Sequence, residues 1–471
     1  MTVRAMMLVA SLGAGACLAL GACAGPAVRT EPVAAVAPPQ AWRTDAGPVA
    51  PFDAAWWQGF RDDRLTALIE RALANNTDIG VAIGRVREAH ANLALARAQL
   101  LPTLDASGGV MRSRGVSPFG TPNVQTAGQP QVQAAYEVDL FGRLSDQASA
   151  ARNAYFASQA ARDAVRLSVA GATAANYIAL LGLKARLGVT RATLAARSDS
   201  LRLARSRVAQ GYSPKLELQQ AEAEYEATAQ LVPQVELAIT RTEHALSQLA
   251  GDLPGAIDGA GRLESLAEPA VPDGLPSDLL RRRPDIAQAE YALAAADKSL
   301  MAARKRFLPQ VRLTASAGAA FSTLLNDPIS LWSVGGSILA PLFEGGRLRA
   351  QAEAAGAQRD QAAFAYRRAA IGGFREVEDA LAAARRIDQQ IARATAQRDA
   401  LAEGLRLATN RYREGYSPYI EQLDAQRGLL AVELALVQLR ADAFTTRVQL
   451  YQAMGGGWSR EAIDAATASA R

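Results

Sequence analysis

Cysteine and histidine are nearly absent: the 471-residue chain has two of each. Cys17 and Cys23 both fall at the start of the chain, so nothing after residue 23 can form an intramolecular disulfide framework or a cysteine metal site. His90 and His244 stand far apart within helical runs and read as solvated helix positions, so no metal site and no cofactor is expected. An excess of one charge is missing too. Lys and Arg number 51 against 46 Asp and Glu, a net +5, and the two signs alternate along apparent helices, which suits solvated helix faces better than a nucleic-acid stripe. No nucleophile, base and orienter stand out together, which argues against an enzyme. Beyond the first residues, no uncharged run is both about 20 residues long and apolar enough for a spanning helix. Any membrane crossing would therefore have to be made by a barrel.

What is present begins with a leader. Arg4 precedes an apolar stretch from Met6 to Leu20, and "LGAC" ends at Cys23, the layout of a secretory signal with a processing site. Leucine three residues before a cysteine, with small residues between, resembles a bacterial lipobox. Residues 1–22 are then a removed signal, Cys23 is the acylated mature N-terminus, and 23–56 form a lipid-anchored segment. Cys17 is the weaker candidate because Ala14 stands at its leucine position. An ordinary signal peptide is the alternative.

The remaining chain matches itself. A shift of 204 residues pairs "RVAQGYSPKLE" from Arg207 with "RYREGYSPYIE" from Arg411, and a shift near 207 pairs "LPTLDASGG" from Leu101 with "LPQVRLTASAG" from Leu308. "DLFGRL" from Asp139 answers "PLFEGGRL" from Pro341. Three matches in one order indicate a duplicated unit, with halves at 57–251 and 283–455, an inter-repeat linker at 252–282 and a tail at 456–471.

Each half predicts a helix ending at "LP", two strand-like runs, a very long helix, the GYSP turn and a second helix. Arg143–Gln210 and Arg347–Glu414 are each 68 residues without proline, roughly 100 Å of helix at about 1.5 Å per residue. Leu187, Leu194, Leu201 and Val208 recur every seven residues as a coiled-coil seam, and Leu401, Leu405, Ala408 and Tyr412 follow a 4-3-4 spacing. Gly182, Gly188, Gly372 and Gly373 mark bends or close helix contacts. In GYSP, Gly211 or Gly415 ends the incoming helix, Ser213 or Ser417 caps the next, and Pro214 or Pro418 takes its first turn. The tips, with Tyr212 and Tyr416 at their centres, point the same way.

The strand-like runs alternate with period two: Leu104, Ala106, Gly108 and Val110; Val132, Ala134, Tyr136, Val138 and Leu140; and Leu313 to Phe321. The acids Glu137 and Asp139 fall on the other face, away from where a charge facing lipid would cost about 2–4 kcal/mol. One chain offers four strands, whereas closed barrels need roughly eight or more, so the barrel would be shared between copies. Surface hairpins on a soluble helical protein are the other reading of this periodicity.

"WWQGFRDDRLTALIERALANNTDI" from Trp56, "YEVDLFGRL" from Tyr136, "RRRPDIAQAEYALAAA" from Arg281, "PLFEGGRL" and "LDAQRGLL" from Leu423 resemble the TolC family of bacterial outer-membrane efflux factors, specifically the lipoprotein branch serving RND pumps. The resemblance implies a mixed α and β membrane protein with an internal two-fold repeat. It implies a homotrimeric, 12-stranded outer-membrane β-barrel, continuous with a long periplasmic α-helical barrel and a mixed equatorial belt. The implied partners are a periplasmic adaptor, an inner-membrane RND transporter and outer-membrane lipid, with no nucleic acid. "RRRPDI" then reads as belt entering a helix, with Pro284 in its first turn and Asp285 favoured by the helix dipole.

The two tips differ. Moving Tyr412, Ile420, Asp424 and Arg427 back by 204 lands on Val208, Leu216, Gln220 and Ala223, so the ionic and aromatic set belongs to the second hairpin. The matching family motif implies that Ile420 and Asp424 line a closed periplasmic constriction, with Arg427 and Tyr412 as partners. Asp424 and Arg427, at i and i+3, could instead form an ordinary intrahelical pair. Both GYSP tips are expected to meet the adaptor. Small molecules, metal ions or secreted polypeptides remain open as cargo, and a periplasmic coiled-coil adaptor or scaffold is the rival from another class.

Overall fold

The proline-free stretches are uninterrupted helices. A computed structural model describes residues 36–44, 49–50, 55–116, 119–257, 259–272, 274–325 and 327–460. The leader, Cys17, Cys23 and the end of the tail lie outside the described residues. Eight α-helices are described: α1 (Asp63–Asn75), α2 (Thr77–Ala98), α3 (Arg143–Ala209), α4 (Lys215–Leu249), α5 (Pro276–Arg282), α6 (Pro284–Lys305), α7 (Arg347–Arg413) and α8 (Tyr419–Ala453). The described strands are β1 (Val49–Ala50), β2 (Thr103–Ser107), β3 (Val110–Val116), β4 (Pro122–Gly128), β5 (Gln131–Val138), β6 (Val271–Pro272), β7 (Gln310–Ser322) and β8 (Ile329–Leu339). α2 and α6 both have 22 residues, α3 and α7 both 67, and α4 and α8 both 35. Pro233 sits inside α4 without ending it. The stretch read as a linker carries β6, which pairs in parallel with β1, and α5.

By internal contacts the chain divides into two units. One comprises residues 85–159 and 288–367 among those described. Its sheet consists of four long antiparallel lines: β2 with β3, β4 with β5, β7, and β8, paired in that order. Two lines are interrupted, at Gly108–Gly109 and Gln129–Pro130, because Pro130 has no N–H to donate to the ladder. Its carbonyl still accepts from Ala319 N at 3.1 Å. The register places Leu104 and Ala106 beside Ala134 and Val132, which in turn flank Ala315 and Ala317, opposite Val334 and Trp332. This face is apolar. The reverse face sets Asp105 beside Gln133, Gln133 beside Ser316, Ser316 beside Ser333, and Glu137 beside Arg312. The large side chains Leu104, Trp332, Val334 and Ile338 remain exposed, and β2, β3 and β8 each keep an unpaired edge.

Leu140 and Asp139 lie beyond the end of β5, correcting their assignment to the strand. Instead, Asp139 explains the DLFGRL motif. Gly142 turns with φ 73°, and the Asp139 carboxylate accepts from Leu144 N (3.0 Å), Ser145 N (2.8 Å) and Ser145 Oγ (2.7 Å) at the start of α3. Partial burial opposes its ionisation, but these bonds together hold its pKa below the usual carboxylate value. A depressed folded pKa contributes stability that is present above the unfolded value of about 3.9 and lost as pH falls through the folded one. Asp139→Ala should therefore cost about 1 kcal/mol at neutral pH and flatten the acid limb of a thermal-stability profile; an unchanged limb refutes the cap.

The other unit comprises residues 36–84, 160–287 and 368–460 among those described. Trp56, Phe60, Leu65, Ile69, Tyr177 and Tyr451 are among the buried residues of its core, and Trp56 stacks on Tyr451 at 5.5 Å. Asp62 caps α1 through Arg64 N and Leu65 N and also accepts the Tyr177 hydroxyl at 3.0 Å. Burial, with Asp62 adding to it, pushes that hydroxyl up to about 12. The uncharged run Leu167–Leu183 lies here. It corrects the sequence expectation, because α3 contains a window long and apolar enough to cross a membrane by length and composition, and half of that window is buried. Ala170, Ala174, Tyr177, Ile178, Leu180 and Leu181 of this run are core residues of this unit. Gly182 approaches Ala441 closely and Gly373 approaches Arg283 and Ile286, while Gly188 and Gly372 have nothing near them.

Candidate functional site: the helical-hairpin tips

GYSP ends one helix and begins another in each half. Gly211 and Gly415 take φ 77° and 81°, the left-handed region open to glycine. Tyr212 N then reaches Arg207 O, and Tyr416 N reaches Arg411 O, both at 2.8 Å, closing the helix ends as a Schellman turn does. The next helices differ from expectation. Pro214 and Pro418 are the N-caps, with ψ 151° and 158°, and helix begins at Lys215 and Tyr419. A cap residue has extended ψ, and proline's fixed φ suits it. Ser213 and Ser417 stand one residue earlier and provide no capping bond; Ser417 Oγ is buried without a partner. Tyr212 and Tyr416 project at 80% and 78% exposure.

Behind the tips lies a small core of Leu201, Ala204, Ala221, Tyr412, Tyr419 and Leu423. The expected seam is only partly buried apart from Leu201 and Tyr412; the row α3 does bury is Thr190, Arg197 and Ala204, again seven residues apart. Tyr412 and Tyr419 contact ring to ring at 5.4 Å, and the Arg207 guanidinium lies 4.4 Å over Tyr412. The Tyr412 hydroxyl approaches Glu217 at 3.4 Å, and burial raises its pKa. Burial also pushes Tyr419 up to about 12. Both phenols therefore stay neutral at physiological pH.

Arg427 does not pair with Asp424. Its Nε donates to Glu224 Oε1 at 2.8 Å, and Nη2 contacts the same oxygen. This hydrogen bond raises the Arg427 pKa. The other Glu224 oxygen meets Arg197 Nη1 at 2.7 Å, and Arg197 also donates to Glu224 O and Thr228 Oγ1. Arg197 is only 5% exposed, and burial lowers its pKa against the pull of Glu224. Glu224 thus joins a buried cation on α3 to an exposed cation on α8. Asp424 and Ile420 are exposed, and Asp424 has no hydrogen bond or ion pair among the described residues.

The ionic set therefore spans both hairpins, correcting its assignment to the second alone. Arg197, Arg207, Glu217 and Glu224 were missed. Adding 204 to Arg197 and Glu224 would have exposed two of them, because it lands on Leu401 and Gly428. There, the Leu401 side chain comes within 3.1 Å of where a Gly428 Cβ would sit. An apolar contact in one hairpin replaces a buried ion pair in the other.

Residues 68–252 and 275–456 match the family described as "Outer membrane efflux protein". The chain is 35% identical over 407 residues to the solvent efflux pump outer membrane protein SrpC of Pseudomonas putida, covering 85% of this chain and 87% of that protein. It is 32% identical to the pyoverdine export outer membrane protein OpmQ of Pseudomonas aeruginosa, covering 95% and 96%. The solved outer-membrane channel OprN superposes with a TM-score of 0.82 at 27% identity, over 93% of this chain and 99% of that one. With its paired long helical hairpins and half-apolar four-line sheet, the chain belongs to the outer membrane efflux protein family, the TolC-type channels.

Proposed function

We propose that the chain, an outer-membrane exit duct of efflux systems, works as a homotrimer that receives small molecules from an inner-membrane RND transporter through a periplasmic adaptor. The observation that carries this reading is the sheet. Four lines with one apolar face and unpaired edges cannot close alone, whereas three copies would form 12 strands whose apolar face meets lipid and whose polar face lines water. The recurrence of helices in equal lengths supports a duplicated unit. Relatives named for solvent and pyoverdine export support small-molecule cargo, and a passive conduit has no need of a catalytic group. Cys23 would carry the lipid anchor, the exposed Tyr212 and Tyr416 would meet the adaptor, and Ile420 and Asp424 would face the constriction, with Arg427 and Tyr412 holding the tips.

The protein purified from outer-membrane fractions in mild detergent should run as a trimer, and Asp424→Ala should raise its single-channel conductance in planar bilayers with the trimer intact. A soluble monomer would refute the duct. Unchanged conductance with an intact trimer would refute only the role of Asp424.

A further inference from the structure

The apolar face continues past the hydrocarbon belt into a pair of arginines. Gly318 opposes Gln131 and Phe321 opposes Gly128, while Ser107 opposes Gln131 and Val110 opposes Gly128. Each interruption therefore takes two residues on both partners, so the register is kept and the faces carry through without a flip. The Phe321 ring agrees, lying where a Gly128 Cβ would project. Val110, Arg112, Arg114 and Val116, beside Gly128, Thr126, Val124 and Pro122, thus share the face of Trp332 and Val334.

Their height follows from strand geometry. Val311 to Phe321 spans ten residues, about 33 Å at 3.3 Å each, or about 25 Å of height at a 40° tilt, the height of an apolar barrel band. Arg112 lies two residues beyond the Phe321 level and Arg114 four, so they rise roughly 5 and 10 Å above the band, within headgroup depth. This is the end of the sheet away from α3, which starts just past Val138. Both arginines are exposed, and neither makes an ion pair among the described residues. β3 and β4 contain no acid; Asp327, between β7 and β8, is an acid at the same end of the sheet.

We propose that Arg112 and Arg114 form an anionic-lipid site on the outer rim of the barrel, binding phosphate groups of outer-leaflet lipid. Two arginines whose Cα atoms lie about 7 Å apart on one face can take one phosphorylated headgroup, because each guanidinium fork matches phosphate oxygens. Three chains would present six such cations. An arginine on the lipid face is tolerated near the interface but not at the midplane, and this pair sits only where it is tolerated.

The proposal rests on the barrel reading, so the test separates the two. Wild type and R112Q/R114Q are reconstituted into phosphatidylcholine vesicles with and without lipid A; flotation checks insertion, and native mass spectrometry counts lipid A retained per trimer. The expected result is normal flotation of both proteins, with retention falling by about fivefold for each arginine removed and no displacement by millimolar inorganic phosphate. Equal retention by both proteins overturns the site. If R112Q/R114Q leaves retention unchanged and, like D327N, lowers trimer stability, the arginines serve a neighbouring chain and the proposal fails. Absence of flotation by wild type removes the barrel, and the lipid site with it.

Discussion

Glu224→Ala and Arg427→Ala give the same expected gain in conductance, the first with a large loss of stability and the second with little. The difference follows from what each substitution strands. Arg427 is half exposed, so losing its bond to Glu224 removes only about 0.2–1 kcal/mol per chain. In the proposed trimer three such contacts breaking together still move a closed–open equilibrium by up to about two orders of magnitude, if they exist only in the closed state. Glu224→Ala breaks the same contact and also leaves Arg197, 5% exposed, without its counter-ion, which costs about 3–5 kcal/mol. Single-channel recordings and thermal melts of both variants and of the double variant separate the effects: the second substitution should add no conductance. Additive conductance gains would mean that Glu224 and Arg427 act independently and that their bond is no latch.

Arg283→Met is expected to destabilise the protein by about 2–4 kcal/mol without altering conductance in molecules that stay folded. Arg283 is 9% exposed and spends every guanidinium nitrogen. Nε and Nη2 grip Asp285 at 3.0 and 2.7 Å, while Nη1 reaches Glu376 at 2.7 Å and the Ala453 carbonyl at 2.9 Å. The start of α6, the middle of α7 and the end of α8 are tied through this one side chain. Burial lowers its pKa, but the hydrogen bonds it donates to the two carboxylates outweigh that and raise it. Arg283→Lys should fall between, since an ammonium keeps the charge but cannot reproduce the fork. Melting temperatures of the three proteins in one detergent provide the test; equal melting of Arg283→Met and wild type would mean that the tie contributes nothing.

Much of the fold was legible because it depends on local chemistry. Proline-free alanine-rich stretches form long helices, glycine allows the left-handed turn in GYSP, and period-two alternation puts Val132, Ala134 and Tyr136 on one face of a sheet. The errors came where two local readings compete or where a partner lies far away in sequence. Proline fits either a cap or a first turn, and only ψ decides between them. Asp139 continues the alternation of β5, yet the free amides of α3 claim its carboxylate. Leu167–Leu183 has the composition of a membrane span because a helix buried among other helices meets equally apolar surroundings.

The sequence by itself determined the long helices, their order and their equal lengths in the two halves, and the strand-like runs with one apolar face, since each follows from residue periodicity and backbone preference. The tertiary structure decided which charges meet. Arg427 could have turned to Asp424, three residues away on its own helix, but bonds to Glu224, 203 residues away, because Glu224 is already held beside it by buried Arg197. Two helices packed side by side bring such groups within hydrogen-bond range, and that proximity leaves no trace in the spacing along either strand of sequence.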